Sequence, residues 1–584
     1  MAAILQGLVW SNWVVMNCQS GVHKSVPLRA PGQVMQLERM GSSFQTRLSF
    51  MRQLLRRMRR ENWQFKRLRL DLDAKGCGVG VYACHGPDRS YSLVAFMHDI
   101  SPEQRTDRVI ADAWDATFSL YDGVPGDADI ERLRSQTPYQ EAGRFTASEL
   151  TLARANKSMR LFEHVVERLA SGKQPDLSNL NRVGYLMRTT AVYGSGKFGC
   201  ADREKLASRP EMQGPFQAEL LTVYLVRWLS LDLVNHMARE RGKARSVLLD
   251  ARYARYLGIG NATGLGMAPF LTKYPTLINN WVLARETALA RVRSLPMADR
   301  IQFGDFLMLL DRARHFVEEW DVDDETQKAR IMQLRLDLDQ LKKLCSKGHG
   351  QPYAWDTIYR YAEETMSVEA QEFVVSLLLE QHGEIVDELA GRMSAREPPR
   401  LDPAMPLGSL LDIIEANYDW VFSTDFSDPA ALKRFWYYSE EKLEPRVGDR
   451  QTEQGSEFEM PIGIARDVNR LRNDLHRCDR SLKVADFLLT APEYRHVVWR
   501  VQLAPHYPYG EIRDNLLGEG RRPLDILRFK LAFFGVAKFD PKSDLWTRVN
   551  MYQGAPLPNE LASWTGPEWV FPSLSANWIG ETIQ

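Results

Sequence analysis

Residues 185–203 read YLMRTTAVYGSGKFGCADR and contain the first of two glycine-rich segments in the chain. This stretch begins with apolar residues and ends in GSGKFG at residues 194–199. The second segment, GIGNATGLG at residues 258–266, follows a long apolar stretch. Glycine lets a ligand approach the backbone closely, and backbone N–H groups exposed in such turns bind anions. We therefore predict that a functional site lies at these two segments.

The predicted binding residues lie in and beside the glycine-rich segments. Lys197 adds a positive charge to the first segment, and an arginine such as Arg188 binds a carboxylate or phosphate through two parallel hydrogen bonds. The first segment is not a P-loop, because Ala191 occupies the required glycine position and Phe198 follows the lysine. The structural alternative for each segment is a helix C-cap followed by a tight turn. The predicted binding residues are Arg188, Tyr193, Gly194, Ser195, Gly196, Lys197, Asn261 and Thr263.

Residues 216–240 predict one long helix between the two segments. Its leucines and valines fall on every side, which is typical of a buried helix. Glu219, Asp232 and His236 are its candidate catalytic residues. Asp232 and His236 are spaced i, i+4 and can meet on one face, and a carboxylate beside a histidine suits general acid–base chemistry. The alternative is a structural ion pair inside a large helical protein.

Composition bounds the class of protein. The chain has 584 residues, 44% of them hydrophobic and 26% charged, with a formal net charge of zero. Zero net charge argues against bulk nucleic-acid binding. Six scattered cysteines without a CxxC pair predict neither a disulfide framework nor a zinc ribbon, and favour a reducing cytoplasm. The sequence predicts neither a membrane span nor a signal peptide. Cys200, after the first segment, is a weaker nucleophile candidate because it has no visible histidine partner.

The pattern predicts an α+β fold that is predominantly helical, with a small antiparallel N-terminal sheet. The predicted strands are residues 64–73, 78–85 and 90–98. Helices are predicted over 107–121 and over 146–171, where Thr146 and Glu149 have capping-box spacing. The hexapeptide LRLDLD occurs at 68–73 and again at 334–339. Flanking residues predict that Leu70 lies in a strand and Leu336 in a helix.

The predicted domain organisation follows breaks in these patterns. Residues 394–408 contain four prolines and read as a linker. Tryptophans at 564, 569 and 578 mark a C-terminal tail that packs on another domain or on a neighbouring subunit. The predicted divisions are an irregular lead-in (1–41), an N-terminal α+β region (42–145), a helical core domain with both glycine-rich segments (146–393), the linker (394–408) and a mixed, mainly helical C-terminal region (409–584).

Two charged stretches have a functional and a structural interpretation. Residues 42–61 form a basic amphipathic helix, which indicates a membrane surface, nucleic acid or an acidic partner. The structural alternative is a docked helix whose arginines pair with acidic residues of the same chain. The acidic run at 321–325 suits a divalent cation or, alternatively, an exposed turn that caps the next helix. We predict no metal site.

These observations lead to two functional hypotheses. The first is a cytoplasmic enzyme that acts on a small anionic substrate or cofactor, bearing a carboxylate or phosphate, by elimination or group transfer. The second is a non-catalytic interaction or scaffold protein that docks through the basic helix 47–60 and the Trp-rich tail, and the tail would also serve a homo-oligomer. The sequence identifies no particular cofactor.

Overall fold

The computed structural model shows an α+β protein that is predominantly helical, which confirms the predicted fold class. Elements are described from residue 26 onward, with internal gaps. The described residues are 26–42, 44–101, 103, 113–137, 146, 148–193, 209–212, 214–261, 274–320, 325–347, 353–393, 399–427, 436–439, 444–447, 459–461, 464–513, 528, 532, 535–541, 547–564 and 569–574.

Twelve β-strands lie in this described part of the chain. They are β1 (Gln64–Leu72), β2 (Gly78–His85), β3 (Ser90–Met97), β4 (Ala116–Asp122), β5 (Glu149–Lys157), β6 (Tyr185–Tyr193), β7 (Gly258–Asn261), β8 (Trp436–Ser439), β9 (Glu444–Val447), β10 (Glu459–Pro461), β11 (Val536–Pro541) and β12 (Thr547–Met551). Nine of them form one sheet in the order β1-β2-β3-β4-β5-β6-β7-β12-β11, and the other three form a small sheet in the order β10-β8-β9. In the large sheet β6 and β7 are parallel, and the other neighbouring strands are antiparallel.

The described α-helices account for most of the remaining structure. They are α1 (Pro31–Val34), α2 (Phe50–Arg60), α3 (Asp127–Gln136), α4 (Phe162–Ala170), α5 (Leu177–Val183), α6 (Gln217–Gly242), α7 (Ala251–Tyr256), α8 (Pro275–Arg293), α9 (Arg300–Glu318), α10 (Glu325–Lys347), α11 (Trp355–Thr365), α12 (Val368–Gln381), α13 (Gly383–Val386), α14 (Leu407–Asn417), α15 (Ala465–Leu475), α16 (Val484–Thr490) and α17 (Arg495–Leu503). Within the ranges given above, none of these helices combines the length and apolar character required to cross a bilayer.

The predicted N-terminal antiparallel sheet is confirmed by β1, β2 and β3. The turn between β2 and β3 is closed by the Gly86 N–H, which donates to the Arg89 carbonyl at 2.8 Å. Leu70 lies in β1 and Leu336 in α10, as predicted for the two hexapeptide copies. The sheet is larger than predicted, because strands from the middle and the C-terminal part of the chain extend it.

Two predicted helices are wrong over part of their length. The C-terminal part of the helix predicted over 107–121 is strand β4, and residues 104–112 lie outside the described residues. The helix predicted over 146–171 is strand β5 followed by α4. Glu149 does accept hydrogen bonds from the Thr146 N–H and hydroxyl, at 2.8 and 2.7 Å, but ahead of a strand. Pairing with β4 and β6 on both sides outweighs the helix-forming composition of β5.

The large sheet curls around α6, the long helix predicted between the glycine-rich segments. Helix α6 packs against each strand from β2 to β7. Gly76 has φ 81°, and a Cβ added to it would lie 3.0 Å from the side chains of Leu233 and Met237. The glycine therefore allows the turn after β1 to pack closely against α6. A helix that is apolar all round requires cover on every side. All its leucines and valines are buried, namely Leu220, Leu221, Val223, Leu225, Val226, Leu229, Leu231, Leu233 and Val234.

The helices after α7 contribute to two hydrophobic clusters. Helices α8 to α12 join the sheet, α6 and residues 34–58 in the main core. Helices α14 to α17 have a separate apolar cluster of their own. The linker predicted over 394–408 overlaps the start of α14, because Leu407 and Gly408 already belong to this helix. Residues 394–398 lie outside the described part, and Pro406 pairs with Lys483 in an isolated bridge.

Candidate functional site

Strands β6 and β7 form a β-α-β unit with α6. The strands are parallel, with Tyr185 opposite Gly258 and Thr189 opposite Asn261, and α6 lies between them in sequence and packs on both. Parallel neighbours require such a crossover connection. The first glycine-rich segment therefore belongs to the connection between a strand and a helix. Phosphate-binding loops of β-α-β proteins occupy the same position.

The described members of the predicted binding set belong to this unit. Arg188 is buried in β6, opposite Gly260 of β7. Tyr193 is the last residue of β6, and Asn261 is the last residue of β7. Because Thr189 pairs with Asn261, β6 extends roughly 13 Å beyond the end of β7. The remaining predicted binding residues, Gly194, Ser195, Gly196, Lys197 and Thr263, lie outside the described residues.

Two glycines of the second segment have a structural role in β7. A Cβ added to Gly260 would lie 2.7 Å from the Tyr185 ring, and one added to Gly258 would overlap Asn550 and the Met551 carbonyl. Strands β6 and β12 therefore approach these glycines closely. Residues 258–261 form strand β7 where the structural alternative predicted a cap and a tight turn, and residues 262–266 lie outside the described residues. Close packing explains the Gly-x-Gly pattern of Gly258 and Gly260 without a ligand.

Glu219 lies in the first turn of α6, at the edge of the sheet where β6 ends. Its side chain is buried, and one turn later the hydroxyls of Thr222 and of Thr151 on β5 are 2.6 Å apart. Because β5 and β6 are antiparallel, the start of β5 and the end of β6 share this edge. Phe216 precedes the helix with φ 58°, a conformation that non-glycine residues rarely adopt.

Asp232 is hydrogen-bonded to the first two strands, and His236 is hydrogen-bonded to the turn between them. Asp232 Oδ2 accepts hydrogen bonds from the Tyr82 hydroxyl at 2.9 Å and the Arg67 guanidinium at 3.1 Å. His236 Nε2 lies 2.8 Å from the carbonyl oxygen of Asp73. Burial raises the pKa of Tyr82, and the Asp232 carboxylate raises it further, so the hydroxyl stays protonated and donates. None of these three hydrogen bonds joins Asp232 to His236.

The three predicted catalytic residues therefore fall into two places. Asp232 follows Glu219 by thirteen residues of the same helix, which is about 20 Å along its axis. Glu219 lies at the edge where β6 ends. Asp232 lies beside the middle of β1 and β2, and His236 lies near the opposite edge, at the turn that joins these two strands.

A polar cluster that the sequence analysis did not single out lies at the edge where β6 ends. Arg209, the first described residue after the first glycine-rich segment, donates to Asp122 at the end of β4 at 3.0 Å. Tyr91 at the start of β3 donates to Glu211, and Arg57 donates to the Glu211 carbonyl at 2.8 Å. Burial and the Glu211 carboxylate raise the pKa of Tyr91. Partners 87 and 120 residues apart leave no local signal in the sequence.

The basic helix predicted over 42–61 is shorter, and its buried arginines bind acidic residues of the same chain. Arg52, buried in α2, donates to Glu380 at 2.7 Å. Arg47, which precedes α2, donates to both carboxylate oxygens of Asp387 at 2.7 and 2.8 Å. Internal ion pairs therefore account for these arginines, as the structural alternative predicted.

The described part of the Trp-rich tail packs on its own chain. Trp569 is buried and stacks on Tyr552, with ring centroids 6.3 Å apart. Phe571 packs on Phe44, with ring centroids 4.1 Å apart. Trp578, Cys200 and residues 321–324 of the acidic run lie outside the described residues. Within the described residues, no three His, Cys, Asp or Glu side chains are grouped to hold a metal ion.

Comparison with known proteins finds no counterpart for this chain. No family model matches it, and no curated protein and no solved structure matches it. Inference about the site therefore rests on the residues themselves and on their geometry.

Proposed function

We propose that this protein is an enzyme that binds a small anionic substrate or cofactor, bearing a carboxylate or phosphate, where β6 and β7 end. The observation that carries the proposal is the β-α-β unit. Its first connection contains the glycine-rich segment and leads to the N-terminus of α6 at the same edge of the sheet. Backbone N–H groups and the positive end of the helix dipole favour negative charge at such a place.

In this proposal Arg188 and Lys197 bind the anion. Arg188 is level with the end of β7, one residue before the pair formed by Thr189 and Asn261. Lys197 belongs to the connection that follows β6. A guanidinium gives two directed hydrogen bonds and an ammonium gives a mobile point charge, so the pair fixes the orientation of the ligand and adds attraction.

Glu219 is the proposed proton-transfer group. It is the predicted catalytic residue that shares an edge with the end of β6, and its side chain is buried. Asp232 and His236 hold α6 to the sheet in this proposal and do not contact the ligand. An anion site beside one carboxylate supports elimination or group transfer, because both reactions move a proton near a charged group.

The test is a thermal-shift screen of the full chain against carboxylate and phosphate metabolites. A ligand that binds only the folded state raises Tm, and the rise increases with the ratio of ligand concentration to Kd. We expect Lys197→Ala to leave the unliganded Tm unchanged and to abolish the ligand-induced shift. Lys243→Ala is the matched control, because Lys243 is an exposed lysine and its ion pair among the described residues is a local one, with Glu240 at 2.7 Å.

Two results would overturn the proposal. Either no anion raises Tm, or Lys197→Ala binds as tightly as the wild type. A ligand that binds through Lys197 is then assayed for turnover, with Glu219→Gln as the variant expected to lose turnover while it retains binding. Binding without turnover in the wild-type chain would identify a binding protein instead of an enzyme.

A further inference from the structure

The C-terminal helical cluster contains one short unit twice. Residues 400–422 read RLDPAMPLGSLLDIIEANYDWVF, and residues 477–499 read RCDRSLKVADFLLTAPEYRHVVW. In each stretch an aspartate is followed by a turn, by one residue in a β-bridge and then by a helix, which is α14 in the first stretch and α16 in the second. The identical residues at equivalent positions are Arg400 and Arg477, Asp402 and Asp479, Leu411 and Leu488, and Val421 and Val498.

The turn has the same geometry in both stretches. Asp402 Oδ1 accepts a hydrogen bond from the Ala404 N–H at 2.9 Å. In the same way, Asp479 Oδ1 accepts a hydrogen bond from the Ser481 N–H at 2.9 Å. An aspartate that bonds the backbone two residues further on fixes such a turn locally. After the turn, equivalent positions of both stretches are buried in the same apolar cluster, among them Leu407 and Val484, Leu410 and Phe487, and Val421 and Val498.

Backbone hydrogen bonds join the two stretches with two-fold symmetry. When the stretches are exchanged, each of these bonds becomes another bond of the same set. Pro406 and Lys483 are equivalent to each other, and the axis passes through the antiparallel bridge that they form. One equivalent pair of bonds runs from the Leu407 N–H to the Leu482 carbonyl at 2.8 Å and from the Val484 N–H to the Met405 carbonyl at 2.9 Å. The other runs from the Gly408 N–H to the Arg480 carbonyl at 2.8 Å and from the Ala485 N–H to the Pro403 carbonyl at 2.9 Å.

We infer that residues 400–422 (copy 1) and 477–499 (copy 2) are two copies of one structural unit, and that each copy is the binding partner of the other. The C-terminal cluster is then an intrachain equivalent of a two-fold dimer, in which one surface patch contacts its own counterpart. A shared turn and helix would explain the similarity within each stretch. They do not explain why the hydrogen bonds between the stretches also exchange, because that exchange requires the same surface on both.

The copies differ at the surface, where an ion pair in one place corresponds to apolar residues in the other. Arg480 of copy 2 donates to Asp412 of copy 1 at 2.6 Å. The equivalent residues are Pro403 of copy 1 and Leu489 of copy 2, and Leu489 is 82% exposed. The two-fold relation therefore predicts that Pro403 and Leu489 lie as close together as Arg480 and Asp412, although no charge draws them together.

Thiol cross-linking of the full chain tests the equivalence of the copies. Two double variants, Arg480→Cys with Asp412→Cys and Pro403→Cys with Leu489→Cys, are treated with a short bismaleimide, and peptide mass spectrometry identifies the linked residues. We expect both pairs to be linked within one chain at similar rates. Pro403→Cys with Thr490→Cys is the matched control and is expected to react more slowly, because the next residue of a helix points about 100° away. All these positions are exposed. Linkage of the first pair alone, of neither pair, or of the control as fast as the second pair would overturn the two-fold relation.

A disulfide on the axis tests whether the partner of each copy lies in the same chain. Pro406 and Lys483 form a non-hydrogen-bonded antiparallel pair, and the Cα atoms of such a pair lie about 4.5 Å apart, within disulfide range. Mild oxidation of Pro406→Cys with Lys483→Cys is expected to form a disulfide within one chain, which runs at the monomer position on a non-reducing denaturing gel. Lys483→Cys alone is the control and is expected to keep a free thiol. Covalent dimers of the double variant would show that the copies pair between chains, and persistent free thiols would show that they do not pair, so either result contradicts the inference.

Discussion

Two groups of charged residues differ in how completely the fold removes them from water. Arg29 is 6% exposed and is bonded to Glu286 at 2.8 and 2.9 Å and to Glu372 at 2.6 Å. On α6, the Asp232 side chain is 17% exposed and its partner Arg67 is 49% exposed. The difference teaches that a charge spacing in the sequence does not reveal how much an ion pair contributes, because burial sets the cost of losing one partner.

Opposite charges keep the buried network ionised. Burial lowers the pKa of Arg29, but the carboxylates of Glu286 and Glu372 outweigh burial and raise it well above its ordinary value. Burial likewise raises the pKa of Glu286, and Arg29 with Arg285 more than reverses that effect. Arg29 links the segment before α1 to Glu286 in α8 and Glu372 in α12. Loss of the network is therefore expected to weaken the packing of these two helices.

The largest expected effect is at the buried network. Glu372→Ala leaves Arg29 with an incompletely compensated buried charge, and we expect the free energy of unfolding to fall by about 3–5 kcal/mol. Urea denaturation measures the change. Glu388→Ala is the control, because Glu388 pairs with Arg291 at the surface and such pairs contribute at most about 1 kcal/mol. Similar losses in the two variants would show that burial does not set the cost of losing a partner in these ion pairs.

A smaller effect is expected where Asp232 meets the sheet. Asp232→Ala removes the acceptor of the buried Tyr82 hydroxyl, and we expect a loss of about 1–3 kcal/mol in unfolding free energy. Combining Asp232→Ala with Tyr82→Phe in a double-mutant cycle should give a coupling of about 1 kcal/mol. A coupling near zero would show that the bond contributes nothing to stability.

His236→Ala is expected to cost less than Asp232→Ala, at roughly 1 kcal/mol or below. Among the described residues the half-buried imidazole makes one hydrogen bond, to the Asp73 carbonyl, and water can replace that bond. The same urea measurements check this order. A loss larger than that of Asp232→Ala would indicate that the histidine has a further buried partner.

Acid is expected to weaken the sheet before the buried network. Burial lowers the pKa of His98 below 6.5, so its contribution is complete above pH 6.5 and is lost as pH falls through the folded-state pKa. The pKa of Glu286 is lowered from 4.5, so the network contribution persists until more acidic pH. His98→Asn should flatten the pH dependence of unfolding as pH falls below 6.5. If the unfolding free energy of His98→Asn depends on pH as steeply as that of the wild type, His98 is not the source of the acid sensitivity.

The site could be predicted only in part from the sequence. The glycine-rich pattern indicated the connection between β6 and α6, because glycine and lysine are local signals. The same pattern could not show that Gly258 and Gly260 serve packing, because the neighbours that require their small size, Tyr185 and strand β12, are distant in the sequence. The i, i+4 spacing of Asp232 and His236 was equally local, and long-range partners determine what each side chain contacts.

The sequence by itself determined the buried central helix, the first three strands and the different structures of the two LRLDLD copies, because periodicity and flanking residues are properties of a short stretch. Only the tertiary structure decided that the residues of β4 and β5 are strands, since hydrogen bonds to neighbouring strands outweigh their local preference. It also decided that Arg52 pairs with Glu380, 328 residues away. No local pattern encodes such contacts, because they form only when the folded chain brings distant residues together.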